Sequence, residues 1–408
     1  MHPSDPRSRA GTNQENVRRH NLSTLVRHLH LARLLSRSSL TSLMGLNRST
    51  IADLVAQAEV LQLAEQRAPA AGAHSSAGRP SVGVAATEHA YVLAVDVRVS
   101  ALVVARVGLG GIPLAQATAP APADHDPAAT AAAIVGLAAA VLRDAEPDSM
   151  LVGIGVSIPG IIDRERGTVR LAPNLDWRDV PFAGMLAARL DTDLRPVLGN
   201  DADLGALAEH LRGVGRGVDD LVYISGEVGV GAGIIAGGNP VSGRSGFAGE
   251  IGHLPFGDGT RGCHCGAVGC WETEIGAAAI ARAVHWPSDR LTELGDHLDE
   301  LASAPEQLSV IAHHLGRGLA GVVNLLNPEI IVLGGYLRAL YPLIGNDVLA
   351  ELDARALQVS GFRPQIMLPG LGDRSVLIGA AEVAFGRLLD DPVGCLARAH
   401  RTSALSVR

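Results

Sequence analysis

Between residues 17 and 31 the chain reads Val-Arg-Arg-His-Asn-Leu-Ser-Thr-Leu-Val-Arg-His-Leu-His-Leu, which sets Leu22, Leu25, Val26 and Leu29 on one helical face. Ser36 then precedes Leu40 and Leu43, the pattern of a short helix opening on a good N-cap, and Gly45 follows as a left-handed turn residue. Leu46-Asn47-Arg48-Ser49-Thr50-Ile51 opens a third helix whose inward positions are Ile51, Leu54 and Val55. Helix, short helix, glycine turn and helix form a helix-turn-helix pattern. After Leu63 the chain turns to small and polar residues that include Arg67 and Arg79. That stretch predicts either a loose β-wing or a flexible connection.

Beyond it the pattern repeats. Tyr91 to Val107 reads as an apolar strand, a turn and a second strand, closed by Gly108, Gly110 and Gly111. Leu221 to Ile235 follows the same scheme. Each hairpin is followed by a short buried strand, Leu151–Gly160 in the first half and Glu329–Gly335 in the second, with helical stretches at 128–144 and 307–326. Two such halves predict two α/β lobes around a cleft, which is where ligands of such lobes sit. Residues 200–208 (Asn-Asp-Ala-Asp-Leu-Gly-Ala-Leu-Ala) read as a helix start at that cleft.

The 408 residues exceed one ordinary domain. No apolar run approaches the roughly 20 residues of a membrane span, and the polar stretch Met1 to Gln14 lacks the apolar core of a signal peptide. Only four cysteines occur, and three stand together, which fits a reducing cytoplasm. Every Lys/Arg position is Arg; the first ninety residues carry a net +4 and the remainder −12. A basic front module on an acidic body predicts that only the front meets a polyanion. At the start of the third helix Asn47, Arg48, Ser49 and Thr50 suit a DNA major groove, where Arg reaches guanine and the others reach bases or phosphates. The competing reading is a three-helix packing unit with polar caps. The charge asymmetry and the glycine turn favour DNA.

Two kinds of chemistry stand out in the body. His253, Cys263, Cys265 and Cys270 fall within eighteen positions and make a complete tetrahedral zinc set with no open position, hence structural. Cysteines one residue apart pair poorly with each other but can wrap one metal. His264 is the alternative imidazole ligand, and Cys395 lies far away. Asn174, Asn200, Asp201, Glu250, His253 and Glu272 all occupy glycine- or proline-flanked loops. Together they offer the paired acceptors and donors that vicinal sugar hydroxyls need; alone, Asp201 would be read as a helix N-cap.

Glu250-Ile-Gly-His253 followed by Cys263-His-Cys265-Gly-Ala-Val-Gly-Cys270-Trp-Glu272 resembles the signature of the ROK family of repressors and sugar kinases. Asn47-Arg-Ser-Thr50 with Gly78-Arg-Pro80 resembles the winged helix-turn-helix of its repressor branch. The likeness runs from about residue 17 to about residue 388. It implies an α/β fold with an N-terminal winged helix-turn-helix followed by a two-lobe, actin-like, hexokinase-type domain. The implied layout is a tail to residue 16, the DNA-binding domain at 17–83, a small lobe at 84–198 completed by helix 376–390, a large zinc-bearing lobe at 199–375, and a tail at 391–408. It further implies structural Zn2+ on His253, Cys263, Cys265 and Cys270, sugar contacts from Asn174, Asn200, Asp201, Glu250, His253 and Glu272, and a homodimer or higher assembly. In the kinase branch the residue matching Asp201 is the general base on the sugar hydroxyl.

The chain departs from the kinase pattern at both phosphate loops. Asp96-Val97-Arg98-Val99-Ser100 stands where ROK kinases resemble Asp-x-Gly-Gly-Thr, and Gly226-Glu227-Val228-Gly229-Val230-Gly231 stands where they resemble Gly-Thr-Gly. Side chains fill the backbone cradle, and Glu227 brings a negative charge to the place of the phosphates. The expectation is therefore a sugar-responsive regulator, a repressor of carbohydrate-metabolism genes, that binds double-stranded operator DNA and a sugar or phosphosugar, with no ATP, no catalytic residue and no membrane partner. The rival is an ATP-dependent sugar kinase using Asp201 as base. A third reading keeps the regulator but gives it a protein or phosphosugar effector, with Arg98 near the ligand.

Overall fold

The computed structural model describes residues 14–67, 83–359 and 362–402. The front module begins with α1 (Gln14–Ala32), β1 (Leu34–Ser36), α2 (Arg37–Met44) and α3 (Arg48–Val60), and ends with β2 (Ala64–Arg67) and β3 (Gly83–Ala86). Local chemistry sets these boundaries. Ser36 caps α2 by accepting from the Ser39 amide at 2.9 Å, and Gly45 ends it at φ 63°. Leu22, Leu25, Val26 and Leu29 are fully buried, against Leu40, Ile51, Leu54 and Val55. The wing is a three-stranded antiparallel sheet, ordered β1-β3-β2, so β1 takes part as well as the two strands after α3. Gly78, Arg79 and Pro80 lie outside the described residues.

The body contains two five-stranded sheets of the same topology. The first uses β4 (Ala90–Val97), β5 (Ala101–Gly108), β6 (Ile112–Pro120), β7 (Met150–Ile158) and β11 (Val197–Asn200) in the order β11-β7-β4-β5-β6. Between β7 and β11 lie a small sheet of β8 (Ile161–Asp163), β9 (Thr168–Ala172) and β10 (Trp177–Val180), and α5 (Phe182–Arg189). The second sheet uses β12 (Leu221–Gly226), β13 (Val230–Ala236), β14 (Asn239–Pro240), β15 (Ile330–Gly335) and β16 (Gln365–Met367) in the order β14-β13-β12-β15-β16. In both, an antiparallel meander of three strands is extended by two parallel strands on the side of the first. The repeat visible in the hairpins therefore extends to whole sheets.

Helices cover the sheets: α4 (Pro127–Leu142) packs on β5 and β6, and α6 (Asp201–Arg212) on β12 and β13. The second lobe adds α7 (Glu272–Ile275), α8 (Ala277–Ala283), α9 (Leu294–Asp299), α10 (Leu308–Leu326) and α11 (Tyr336–Arg355). Near the C-terminus, α12 (Ser375–Asp390) packs on β4, β7 and α6, so α6 and α12 meet between the sheets. The contact is close. A Cβ on Gly379 would sit 2.0 Å from the Leu204 carbonyl oxygen, and one on Gly155 would sit 1.9 Å from that of Ala380.

α1 starts at Gln14, inside the segment to residue 16 read as a tail, and α13 (Pro392–Thr402) lies within the segment 391–408 read as a C-terminal tail; residues 1–13 and 403–408 lie outside the described residues. Cys395, Leu396 and Ala399 of α13 bury in the core shared by the front module, β7 and α12. That apolar stripe is what docks the helix. Among the described residues no helix is long and apolar enough to cross a membrane.

Candidate functional site

The polar cleft is built where β11 runs into α6 and where the loop after β13 folds back. Asn200 caps α6: its Oδ1 accepts from the Ala202 and Asp203 amides at 2.9 and 3.2 Å, and its Nδ2 donates to the Gly160 carbonyl at 3.1 Å. The cap is thus Asn200 rather than Asp201, which leaves the Asp201 carboxylate to line the cleft. Across from it the turn Ile251–His253 lies against β13. Gly249 has φ 96°, and a Cβ there would lie 1.8 Å from the Ala232 carbonyl oxygen, so only glycine admits this approach. Asn174, Asn200, Asp201, Glu250, His253 and Glu272 all line this one cleft.

Its electrostatics are unusual for a surface groove. Burial, then the carboxylates of Glu227, Asp96 and Glu250, push Asp201 up to about 8 despite a backbone hydrogen bond that lowers it. Burial and Asp96 push Glu227 up to about 7 against the opposing pull of Arg98. Asp203 is raised to about 6 by burial, opposed by Arg164, to which it is paired at 2.8 Å. Burial also raises Glu250, partly offset by His253. A hydroxyl that donates to such a carboxylate favours its charged form and opposes the upward shift. Asp203, Arg164 and the Gly160 carbonyl were not singled out from the sequence; the i, i+2 spacing of Asp201 and Asp203 was the available signal.

At its far end the cleft meets a second cavity, lined by Arg98, Tyr336, Arg338 and Asp373 and sharing Val99, Ser225, Glu227 and Val228 with the first. The β4–β5 turn enters this junction. Arg98 Nε donates to Asp96 Oδ2 at 2.6 Å, and Arg98 Nη2 donates to the Asp373 carbonyl at 3.3 Å. Glu227 faces the same junction from the β12–β13 turn. The Arg98–Asp96 pair and Glu227 thus place side-chain charges between the two cavities.

Beside the cleft, one ligand atom each from His253, Cys263, Cys265 and Cys270 lies within 4.8 Å of the others. Cys265 Sγ is 3.6 Å from Cys270 Sγ, and Cys263 Sγ is 3.7 Å from His253 Nδ1. Zinc–ligand bonds of about 2.0–2.3 Å in a tetrahedron of one nitrogen and three sulfurs require edges of roughly 3.5–3.8 Å; these two edges match, and the donor set as a whole is compatible with such an ion. The Cys263 thiol donates to Glu272 Oε1 at 2.8 Å, a proton that a metal bound there would displace. With Nδ1 toward the thiols, His253 Nε2 lies 3.8 Å from Glu250 Oε2. His264 stands outside the four-donor group and lines the polar cleft instead. Trp271, fully buried, ties the loop to α10 through Nε1 and the His314 carbonyl at 2.8 Å.

On the front module, Asn47 is the N-cap of α3. Its Oδ1 accepts from the Thr50 amide at 2.8 Å and from the Ser49 hydroxyl at 2.7 Å. The Asn47 and Ser49 side chains are thus partly committed to each other, whereas Arg48 is exposed and makes no ion pair among the described residues. The module is fastened to the body by a buried cluster. His30 Nδ1 accepts from the Gly110 amide at 3.0 Å, and its Nε2 lies 2.9 Å from Glu382 Oε2 and 2.7 Å from Arg212 Nη2. Arg212, the last residue of α6, places Nε 2.5 Å from Glu382 Oε1 and donates to the carbonyls of His30 at 3.2 Å and Gly110 at 2.9 Å. Nothing in the sequence pattern joined residues 30, 212 and 382.

The sequence profile of the ROK family matches residues 92–386. The xylose repressor of Caldicellulosiruptor bescii is 30% identical over 263 residues, 59% of this chain and 64% of that protein. The alignment thus spans under two thirds of the repressor's length. The crystal structure of a ROK family transcriptional regulator, a homolog of the E. coli MLC protein, matches with TM-score 0.72 at 23% identity, covering 94% of this chain and 99% of that one. A ROK family glucokinase from Streptomyces griseus, in complex with glucose and AMPPNP, matches with TM-score 0.61 at 27% identity, covering 72% and 99%. The regulator's fold therefore extends over the front module as well as the body, and the kinase's is shorter.

Proposed function

The chain belongs to the ROK family, and we propose that it is a sugar-responsive, DNA-binding transcriptional repressor of carbohydrate-metabolism genes. One observation carries the reading: a single helix, α6, has Asp201 in the polar cleft at one end and Arg212 in the cluster that fastens the helix-turn-helix module at the other. At about 1.5 Å per residue such a helix spans less than 20 Å and moves as a rod. A sugar that pulls on Asp201 and draws the lobes together therefore shifts Arg212 against His30 of α1. The effector acts only through its difference in affinity between the two states, so the DNA-bound form binds sugar less tightly.

Asn174, Asp201, Glu250, His253 and Glu272 are the proposed sugar contacts, with Asn200 holding the start of α6. Zinc on His253, Cys263, Cys265 and Cys270 would lock the loop that presents Glu250 and Glu272 and leave His253 Nε2 free to face the ligand. Asn47, Arg48, Ser49 and Thr50 would enter the major groove. In a homodimer two such helices read half-sites about one or more helical turns apart, some 34–36 Å each. The names of similar relatives make xylose and glucose the first sugars to screen. A thermal-shift screen with free and phosphorylated sugars, followed by operator binding with each hit, tests the reading. Operator binding that is flat with salt and indifferent to sequence would refute the DNA half of it.

A kinase is the second reading, favoured by Asp201 itself, since a carboxylate titrating near 8 suits a general base. Against it, Glu227 and the Arg98–Asp96 pair occupy the junction through which a nucleotide's phosphates would reach the sugar. A coupled assay with ATP over hexoses, pentoses and amino sugars decides the matter: turnover abolished by Asp201→Asn would establish the kinase.

A further inference from the structure

A third cavity opens at the joint between front module and body, away from the polar cleft. Arg33, Arg212, Arg216 and Arg374 line it, beside Gly111 and Ile378, and no carboxylate is among its lining residues. Arg212 is neutralised by Glu382. Arg33, Arg216 and Arg374 form no ion pair among the described residues, so three uncompensated guanidiniums face one space.

Their backbones are fixed in place. The fully buried carboxylate of Glu209 accepts from the Val214, Gly370 and Leu371 amides at 3.0, 3.0 and 3.1 Å and from the Ser375 hydroxyl at 2.6 Å. It thereby clamps the two turns that carry Arg216 and Arg374. Arg33 adopts φ 65°, a left-handed conformation uncommon for a residue with a long side chain, and its Nε donates to the Gly110 carbonyl at 3.1 Å. Arg33 thus reaches from the front module to the body's edge.

We propose that this cavity is a binding site for a phosphate group, carried by inorganic phosphate or by a small phosphate monoester. Planar guanidinium forks match phosphate oxygens two at a time, and a dianion supplies the missing counter-charge. Because Arg33 belongs to the front module and the other three to the body, the occupant bridges them and reports phosphate status to the DNA-binding end. The proposal is independent of what fills the polar cleft.

Full-length protein is titrated calorimetrically with sodium phosphate and with glucose 6-phosphate at fixed ionic strength, alongside the double variant Arg216→Gln/Arg374→Gln. Both side chains are exposed and outside the sugar-type cleft, so the variant should fold; its melting profile checks this, and Arg216→Lys/Arg374→Lys provides a charge-retaining second variant. The expected result is saturable binding to the wild type, weakened at least tenfold by the Gln pair and largely retained by the Lys pair. Equal affinities for the two probes identify the bare phosphate group as ligand, and a clear preference for glucose 6-phosphate identifies a monoester. Absence of saturable binding to the wild type, or equal binding by wild type and Gln pair, overturns the proposal. If phosphate binding is absent from the wild type or unchanged in the Gln pair, and the Gln pair lowers the salt slope of binding to a random-sequence duplex, the arginines belong to the DNA backbone, which also overturns it.

Discussion

Asp201, a proposed sugar contact, is held in the cleft at a cost in stability. Its carboxyl, raised to about 8, binds a proton more tightly in the folded chain than in the unfolded one, where the group titrates near 4. Between those values the folded state holds the extra proton, so stability falls as pH rises and levels off above about 8. Glu227, raised to about 7, adds to the slope over the lower part of that window. Asp201→Asn should therefore raise the stability of the ligand-free protein at pH 8, by about 1–2 kcal/mol once relaxation is allowed for. It should also flatten the dependence of melting temperature on pH between 5 and 8, and weaken binding of the effector sugar at least tenfold. Melting curves at several pH values with and without sugar check all three; a variant that melts lower than wild type at pH 8 contradicts the account. At the four-donor site, removal of metal by a chelator, or Cys265→Ser, should lower the melting temperature and expose the Glu250–Glu272 loop to proteolysis. Metal analysis of reduced, freshly purified protein should give close to one zinc per chain.

At the scale of elements, apolar periodicity disclosed what lies inside and charge did not disclose what lies between. The inward face of α1, the capped α2 and the two hairpins were legible because burial and capping are local patterns. So was the tight grouping of His253 with three cysteines. The strand β6 escaped because it lies at a sheet edge, opens with Ile-Pro and closes on Pro, and is only partly buried, which leaves a weak alternation. α13 escaped because its apolar stripe is short. Ser23, Arg27 and His30 form a second, polar stripe on α1 that meets Leu389, Asp390 and Glu382 near the end of the chain. Their partners are over 350 residues distant, and no local pattern encodes that. The α6–α12 contact is the most exposed to failure. Gly379→Ala would push a methyl group onto the Leu204 carbonyl, at a cost of about 1–3 kcal/mol. A melting temperature within a degree of wild type would show that the two helices can part freely, and would remove α6 as a rigid connector.

For the molecule as a whole, the question is whether the polar cleft and the proposed DNA face share one equilibrium. The polar cleft opens on Asp201 at the start of α6, and the helix ends at Arg212, which holds Glu382 and the His30 carbonyl together. Arg212→Gln keeps a hydrogen-bonding side chain but removes the charge that balances Glu382. Breaking a buried pair in this way costs about 3–5 kcal/mol, which falls on the joint rather than on the cleft. Sugar affinity should then stay within about threefold of wild type, because no residue touching the ligand has changed. The sugar-induced loss of operator affinity should shrink toward nothing, since the rod no longer grips α1. Linkage requires the reciprocal: operator DNA should weaken sugar binding in the wild type by the same factor by which sugar weakens operator binding, and neither effect should survive in the variant. Arg48→Ala provides the contrast. It should weaken operator binding by about 1–3 kcal/mol while leaving the sugar effect on the residual binding intact. Calorimetry for the sugar and fluorescence anisotropy for the DNA, run on the same three proteins, separate contact from coupling. If Arg212→Gln retains the full sugar response, the signal travels outside α6 and the joint is only an anchor.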